Sequence, residues 1–424
     1  MEIIKYPQRE QWRAIVERPY SDNGAVLDTV RQVLQEVRGH GDSALLDLAR
    51  RFDGAELATL EADPVEIQSA EAALTPSLKA AIRAAAANIE AFHRNQLREE
   101  AAVETTPGIR CWRRSVGIER VGLYIPGGSA PLFSTVLMLG IPAKLAGCAE
   151  VVLCTPPGKD GKVHPAILYA AALCGISLVV KAGGAGAIAA LAFGTGTVPR
   201  VDKIFGPGNQ YVTAAKQLVQ QEGVAIDMPA GPSEVCVLAD AAAQASFIAA
   251  DLLSQAEHGP DSQVLLLTDS EALVFKVEAE LESQVAALPR GTIARKALER
   301  SRIVLLRSLD EAMELANAYA AEHLILQCAD AEARAAQVRN AGSVFIGAWS
   351  PESAGDYASG TNHTLPTNGF ARAYSGVSTD SFVRKITFQQ LTREGLQGIA
   401  TTVTEMAEAE GLQAHAEAIR IRLR

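Results

Sequence analysis

The chain has little that would point to a membrane or to nucleic acid. Its formal net charge is −10 over 424 residues, and no basic cluster offsets it, which argues against nucleic acid or an anionic membrane surface as the main partner. The apolar stretch 132–145 is interrupted by Gly140, Pro142 and Lys144, well short of the roughly 18 apolar residues of a membrane span. Residues 1–12 are charged from the start and do not resemble a secretion signal. We therefore expect a soluble, cytoplasmic protein.

Cysteine, histidine and aromatic residues are also scarce. The six cysteines are scattered without a Cys-x-x-Cys pair, and Cys154 and Cys236 lie inside apolar runs, so buried free thiols are expected. Aromatic residues make up 5% of a chain that is 48% hydrophobic, which predicts aliphatic cores. Without paired sulfur ligands, a bound metal would have to be held by histidine, carboxylate and amide groups.

Short β-branched runs alternate with helical stretches from Val121 onward. Near-continuous apolar strands separated by helices are typical of buried parallel sheets with helices on both faces. The strands are predicted at 150–155, 177–182, 203–205, 234–239, 263–268, 302–306, 323–327 and 343–346. Because eight strands exceed one comfortable sheet, we expect two α/β domains, preceded by a long helical region at 64–97 and followed by helix from about Arg384 to the C-terminus.

Three glycine-containing turns are candidates for phosphate binding. Residues 184–189 follow a predicted strand, open a helix and match the Gly-x-Gly-x-x-Ala pattern of dinucleotide-binding proteins. The acidic residue that should close the next strand is missing, so tight packing of a helix on a strand explains the glycines equally. The turns 124–129 and 205–209 also join a strand to a helix and could present backbone N–H groups to a phosphate, or they are ordinary connections.

A candidate metal site begins in the segment 253–261. Gln255 and His258 lie at positions i and i+3 at the end of a predicted helix, which places both side chains on one face. Asp356 lies in the polar loop 353–363, and a fourth ligand could come from His363 or His415. Nitrogen and oxygen ligands without sulfur suit zinc or a similar divalent ion. A surface or capping role for Gln255 and His258 stays open.

The tripeptide Ala-Glu-His of this segment recurs where a predicted helix gives way to a strand, at 321–323. His323 could serve there as a general base near neutral pH, and the adjacent Glu322 could activate water. The alternative is a cation at a helix C-terminus beside a surface acid.

Taken together, these segments resemble the histidinol dehydrogenase family over nearly the whole chain. The resemblance rests on several long motifs in fixed order, which are residues 124–132, 205–209, 227–234, 254–262, 322–324 and 350–363. It implies an NAD- and zinc-dependent oxidoreductase of histidine biosynthesis, which oxidises L-histidinol to L-histidine through histidinal in a four-electron reaction with two NAD+. It also implies a homodimer with shared active sites and one Zn2+ in each subunit.

The resemblance implies a role for individual residues. His323 would remove the hydroxyl proton and Glu322 would activate the water that hydrates the aldehyde. The zinc ligands would be Gln255, His258, Asp356 and His415, of which His415 would reach across the dimer interface. Substrate contacts would come from the same four residues together with His323, Ser233 and Glu410, while Tyr124 and Asn209 would contact NAD.

The resemblance also implies a domain plan. We expect an N-terminal segment (1–22), a discontinuous Rossmann-like domain (23–123 with 233–376), a second such domain (124–232) and a C-terminal helical segment exchanged between subunits (377–424). Both domains would be incomplete Rossmann-like units.

One position departs from the family pattern. Gly186 stands where the family usually has a glutamine that contacts NAD, so weakened or rearranged cofactor binding is predicted. Two alternatives remain, a related dehydrogenase of the same fold acting on another polar alcohol such as sulfopropanediol, and a non-catalytic zinc- or nucleotide-binding protein.

Overall fold

The computed structural model describes residues 1–18, 24–127, 131–229 and 231–424. The strands within these ranges are β1 (Glu2–Lys5), β2 (Val103–Thr106), β3 (Ile109–Gly117), β4 (Arg120–Tyr124), β5 (Glu150–Thr155), β6 (Leu178–Lys181), β7 (Lys203–Phe205), β8 (Ala225–Ile226), β9 (Glu234–Ala239), β10 (Gln263–Thr268), β11 (Arg302–Leu305), β12 (His323–Gln327), β13 (Ser343–Ile346) and β14 (Val383–Leu391).

The α-helices of the same residues are α1 (Trp12–Val16), α2 (Gly24–His40), α3 (Asp42–Leu48), α4 (Pro64–Ala70), α5 (Pro76–Arg94), α6 (Phe133–Ala146), α7 (Pro165–Cys174), α8 (Gly184–Phe193), α9 (Gln210–Gln220), α10 (Ala245–Ala256), α11 (Glu271–Ala287), α12 (Gly291–Glu299), α13 (Leu309–Tyr319), α14 (Ala331–Ala335), α15 (Glu352–Tyr357), α16 (Arg393–Ala409) and α17 (Gln413–Leu423). No helix among them has the length and apolar character needed to cross a membrane.

The larger sheet has six parallel strands in the order β1-β11-β10-β9-β12-β13. Strands β9, β10 and β12 are buried at every residue, as their near-continuous apolar sequences predict. Successive side chains face opposite sides of the sheet. Val235 and Val237 pack in the core formed with α10–α12, whereas Cys236 and Leu238 pack in the core formed with α1 and α13.

The smaller sheet has five parallel strands in the order β6-β5-β4-β7-β8. From β4 the chain proceeds outward to β5 and β6, and then returns to the other side of β4 to form β7 and β8. The order therefore reverses between β4 and β7. The carboxyl ends of the two strands at such a reversal border a crevice, which is the usual ligand position in open α/β sheets.

The predicted α/β class, with two parallel sheets and a helical C-terminal segment, is confirmed. All eight strands predicted from the sequence are present, and six of them have the predicted bounds. The helical region predicted at 64–97 contains α4 and α5, and α5 begins after Thr75, whose hydroxyl accepts a hydrogen bond from Leu78 N at 3.2 Å.

A third sheet, antiparallel and in the order β14-β3-β2, corrects the prediction of helix from Arg384. Residues 383–391 pair with β3 along their whole length, and Phe388 stacks on Trp112 with ring centroids 5.5 Å apart. The sequence Lys385-Ile386-Thr387-Phe388 alternates polar and apolar side chains, which fits a strand period of two. Helix begins only at Arg393, after the N-cap Thr392.

Helices α2, α3 and α5 pack with a different sheet from the one with which the expected domain division groups them. Val30 of α2 and Leu45 of α3 share a core with Ile188 of α8, and Ile89 of α5 shares a core with Leu137 of α6. Residues 24–94 therefore cover the five-stranded sheet, whereas the expected division grouped them with residues 233–376. The apolar face of an amphipathic helix shows that the helix is packed, but it does not identify the sheet that it covers.

Candidate active site and metal centre

The candidate catalytic pair lies at the amino edge of the six-stranded sheet, where β9 and β12 begin side by side. His323 is the first residue of β12 and is paired in register with Val235. The backbone N–H of Glu234 donates to Glu322 Oε2 at 2.9 Å, which fixes the Glu322 carboxylate over the start of β9. Ser233 directly precedes β9 and so lies at the same edge.

Both members of the pair are buried, with Glu322 7% and His323 2% exposed. His323 Nδ1 lies 3.8 Å from Glu322 Oε2 and 3.3 Å from the carbonyl oxygen of Glu234. His323 Nε2 lies 3.5 Å from Asp356 Oδ1, and neither of these two buried atoms has a hydrogen-bond partner among the described residues. Nε2 is therefore the ring nitrogen that is free to exchange a proton with a bound molecule.

The electrostatics of the pair follow from burial among several carboxylates. Burial raises the pKa of Glu322 to about 7. Burial disfavours a charged imidazole at His323, but the nearby carboxylates of Glu322, Asp356 and Glu352 raise its pKa to about 10. Burial likewise disfavours ionisation of Asp356, yet the surrounding histidines, His323 first, hold the pKa of that carboxyl below its usual value. When no metal ion is bound, the protonated ring of His323 therefore balances part of the negative charge of these carboxylates.

Four side chains around His323 offer ligand atoms for a metal. Atoms of His258, Glu352 and Asp356 all lie within 4.8 Å of one another. Gln255 is buried in the last turn of α10, and the amide orientation that satisfies its surroundings places its nitrogen 3.1 Å from His323 Nδ1. His258 lies just beyond α10, in a turn closed by its N–H to the Gln255 carbonyl oxygen at 3.2 Å.

These residues fit a divalent cation. Among the described residues, Glu322 and Asp356 form ion pairs only with His323, and Glu352 forms none, so none of the three is paired with lysine or arginine. Buried carboxylates that no cationic side chain neutralises are costly unless a metal or a proton compensates them. Asp356 Oδ1 is buried without a hydrogen-bond donor, as an oxygen reserved for a metal would be. Imidazole, carboxylate and amide oxygen are ligands that zinc accepts.

Glu352 is the member of this site that sequence analysis missed. It and Asp356 are one turn apart in α15, so both project from the same face of the helix. The available signal was this i, i+4 pair of carboxylates after Pro351. Glu352 resembles a solvated acid in the sequence, whereas in the structure it is 1% exposed.

His363 was one candidate for the fourth ligand, and the structure gives it another role. Its Nδ1 lies 2.8 Å from the backbone carbonyl oxygen of Asp356, and its Nε2 lies 3.0 Å from Thr135 Oγ1. Both ring nitrogens are thus engaged within the protein. Thr135 belongs to α6, which follows β4 of the five-stranded sheet, so His363 joins the two halves of the molecule beside the cluster.

Two further candidates, His415 and Glu410, are not part of the cluster within this chain. His415 is exposed on α17 and Glu410 is exposed at the end of α16. The described contacts of α17 are made with α16, and neither residue is part of the group around His258 and Asp356.

The cofactor candidates Tyr124 and Asn209 flank the crevice between β4 and β7. Tyr124 ends β4, and its hydroxyl accepts a hydrogen bond from Gly184 N at 3.1 Å, while burial raises its pKa to about 12. Asn209 follows β7 and caps α9, accepting from Tyr211 N at 3.0 Å and from Val212 N at 3.2 Å. Gly128 and Ser129 of the first predicted turn lie outside the described residues.

The turn that carries Asn209 is held by a buried ion pair between Lys216 and Asp227, which are 4% and 1% exposed. Lys216 Nζ donates to the Gly206 carbonyl oxygen at 2.8 Å, and Gly206 N–H donates to Asp227 Oδ2 at 2.8 Å. Gly206 has φ +129°, and a Cβ there would lie 2.1 Å from the Tyr124 carbonyl oxygen, so only glycine fits. The position of the turn is thus determined by charge and by close backbone contact.

Gly186 lies inside α8 and faces α3. A Cβ on it would lie 2.7 Å from Leu48 Cδ1 and 3.5 Å from Leu45 Cδ2. Leu48 therefore occupies the space into which a longer side chain at position 186 would project. Of the two interpretations of the glycine pattern at 184–189, this geometry supports close packing at Gly186.

Comparison with known proteins identifies relatives over nearly the whole chain. The histidinol dehydrogenase family model matches residues 16–423. A histidinol dehydrogenase of Bacteroides thetaiotaomicron is 58% identical over 423 residues, which cover 100% of this chain and 99% of the relative. One from Xanthomonas euvesicatoria is 56% identical over 397 residues, or 93% of this chain and 92% of the relative.

A solved structure of a relative has the same fold. The crystal structure of histidinol dehydrogenase from Elizabethkingia anophelis matches with a TM-score of 0.97 and 52% sequence identity, covering 100% of this chain and 98% of that chain.

Proposed function

Because the chain belongs to the histidinol dehydrogenase family, we propose that it oxidises L-histidinol to L-histidine through histidinal, reducing two NAD+. The observation that carries the mechanism is the buried Glu322–His323 pair, with His323 Nε2 unpartnered and 3.5 Å from Asp356. This is the arrangement expected of a proton acceptor beside a site for a cation and a small polar substrate.

The chemistry requires a base because the pKa of an alcohol lies far above neutrality. Loss of hydride is slow unless the hydroxyl proton is removed at the same time. A divalent cation bound among these carboxylates would replace the positive charge of the imidazolium, so His323 would be neutral and its Nε2 would accept this proton. The backbone carbonyl oxygen of Glu234 beside Nδ1 fixes the ring orientation. Glu322, held by Glu234 N–H, accepts a proton from the water that hydrates the aldehyde, and His323 acts again in the second oxidation.

Zinc would be held by Gln255, His258 and Asp356 from this chain, with His415 as the proposed fourth ligand. A cation held there would supply a positive charge that orients the substrate, and NAD+ would supply the acceptor for the hydride. Glu322 and His323 are buried, which would shield an aldehyde beside them from bulk water, whereas His258 on the metal side of the cluster is exposed. Ser233, directly before β9, is positioned to contact the substrate.

The C-terminal helices support a homodimer in which His415 and Glu410 complete the site of the partner subunit. Of the described side chains on α16 and α17, only Gly395, Ala407 and Ala416 are buried. Met406 is 61% and Ile421 59% exposed. Helices with so little buried surface need another surface to cover them, and a second copy of this chain is the proposed one.

NAD is proposed to bind between Tyr124 and Asn209, with Gly186 weakening its binding relative to a glutamine at that position. The turn at 206–209 lies at the reversal of strand order in the five-stranded sheet, where dinucleotides bind in other α/β proteins.

The deciding experiment is the stoichiometry of NADH formed by the purified zinc-loaded protein with limiting L-histidinol. Two NADH for each histidinol support the proposal. No NADH would support a binding protein, and turnover of sulfopropanediol but not of histidinol would assign the chain to another dehydrogenase of the same fold.

A further inference from the structure

The buried carboxylate of Glu352 has no role in the mechanism above. It is 1% exposed and, among the described residues, forms no ion pair. Its backbone position at the start of α15 places it against the last turn of α10, and these two helices are in contact. A buried carboxylate requires hydrogen-bond donors, and the donors beside Glu352 are the N–H groups of a neighbouring side-chain amide.

That amide belongs to Gln255. In the orientation that satisfies its surroundings, the Gln255 amide nitrogen lies 2.9 Å from Glu352 Oε2 and 3.1 Å from Oε1. The opposite orientation would place the amide oxygen against the carboxylate, where like partial charges repel. The contact therefore determines which end of the amide faces Glu352.

We propose that Glu352 is a positioning residue of the metal site, which holds the Gln255 amide nitrogen so that Gln255 Oε1 is presented to the cation. An amide binds a metal through its oxygen, and a freely rotating amide would present that oxygen only part of the time. The inference rests on the proposed function in one respect, namely that this cluster binds a divalent cation. Partners that orient ligands in this way contribute about 10- to 100-fold to metal affinity.

Direct ligation by Glu352 is the competing role, since its carboxylate lies within 4.8 Å of ligand atoms of His258 and Asp356. Two observations favour positioning. Both carboxylate oxygens are within hydrogen-bond distance of the Gln255 nitrogen, and Asp356, one turn later on the same face, already offers the unpartnered oxygen Oδ1.

The experiment measures the zinc dissociation constant of the purified full-length protein by chelator competition, without reference to activity. The variants are Glu352→Gln, Gln255→Ala and the double variant. Asp251→Asn is the matched control, because Asp251 is a buried acid of α10 that accepts from Gln327 Nε2 at 2.6 Å and not from Gln255. It removes a similar nearby charge without touching the ligand.

E352Q should weaken zinc binding about 10- to 100-fold in the wild-type background and less than about threefold in the Q255A background. The control should change affinity by less than about threefold. Equal loss in both backgrounds would assign Glu352 as a direct ligand and overturn the proposal, as would unchanged affinity of E352Q or an equal loss in the control.

If E352Q fails to fold, Glu352→Asp carries the test, because it keeps the charge and withdraws the carboxylate by one methylene. At least a tenfold loss that disappears in the Q255A background supports positioning, and any other result overturns it. The experiment also separates this inference from the proposed function. A wild-type protein that binds no zinc would contradict both the proposed zinc-dependent function and the positioning role of Glu352. Zinc binding in which the effect of E352Q does not depend on Gln255 would contradict only the positioning role.

Discussion

The buried ion pair between Lys216 and Asp227 makes a stability prediction that can be worked from its contacts. Replacing Lys216 with methionine keeps the apolar stem and removes the ammonium group, which leaves Asp227 1% exposed and without its cation. Breaking a buried pair in this way costs about 3–5 kcal/mol of unfolding free energy. Asp227 still accepts from Gly206 N and from Met228 N at 2.8 and 2.7 Å, so the lower end of that range, about 3 kcal/mol, is expected.

The double variant Lys216→Met/Asp227→Asn separates the cost of the stranded charge from the cost of the lost contacts. Asparagine keeps one carbonyl oxygen for the two backbone donors, so most of the charge penalty disappears. We expect a residual loss of about 1–2 kcal/mol from imperfect hydrogen bonding at the Gly206 turn. The double variant should therefore be more stable than K216M alone.

Urea unfolding followed by circular dichroism measures these differences. The matched control is Lys5→Met, because the Lys5–Glu271 pair is about half exposed on both sides and its loss should leave the transition unchanged. A K216M protein within 1 kcal/mol of wild type, or a double variant no more stable than K216M, would refute the reasoning.

Three further predictions concern the site. His323→Gln should lower kcat by about 10²- to 10⁴-fold while zinc content, measured by atomic absorption, stays near one per subunit; unchanged kcat would exclude His323 as the base. The double variant Leu48→Ala/Gly186→Gln should bind NAD+ about 3- to 10-fold more tightly than L48A alone, as measured by calorimetry. The smaller side chain at position 48 removes the clash at Leu48 Cδ1, and the glutamine can form one hydrogen bond with the cofactor. Equal affinity of the two variants would remove position 186 from the cofactor site. When the inactive variants Asp356→Ala and His415→Ala are mixed and allowed to exchange subunits, about a quarter of wild-type activity should return. Half of the dimers then contain one subunit of each variant, and one of the two sites in such a dimer is intact. No recovery would place His415 in the site of its own subunit or outside the site.

The sequence predicted the strands well because their apolar runs are both short and buried on two faces. Residues 234–239 and 263–268 are short and almost continuously apolar, so they lack the polar face that an amphipathic helix would show. The structure gives both strands the predicted bounds. Residues 384–391 were assigned wrongly because a strand paired in an exposed antiparallel sheet has few buried positions, and its apolar residues also fit a helical spacing.

The site was predictable where chemistry-bearing residues are rare and fell within recognisable motifs. Gln255, His258, Glu322, His323 and Asp356 come from three separate stretches, and the structure brings them together. The role of Glu352 was not predictable from the sequence, because only tertiary packing of α15 on α10 removes an apparently solvated acid from water.

The two proposed sites lie at opposite edges of their sheets, the metal cluster at the amino edge of the six-stranded sheet and the proposed NAD turn at the carboxyl edge of the five-stranded sheet. This sets the direction of the backbone dipoles at each site. Helices α10 and α13 end at the amino edge of the six-stranded sheet, beside the candidate catalytic pair, whereas α8 and α9 begin at the carboxyl edge of the five-stranded sheet. A helix carries roughly half a negative charge at its C-terminus and half a positive charge at its N-terminus. The peptide groups themselves thus favour a cation at the first of these edges and a diphosphate at the second, before any charged side chain contributes.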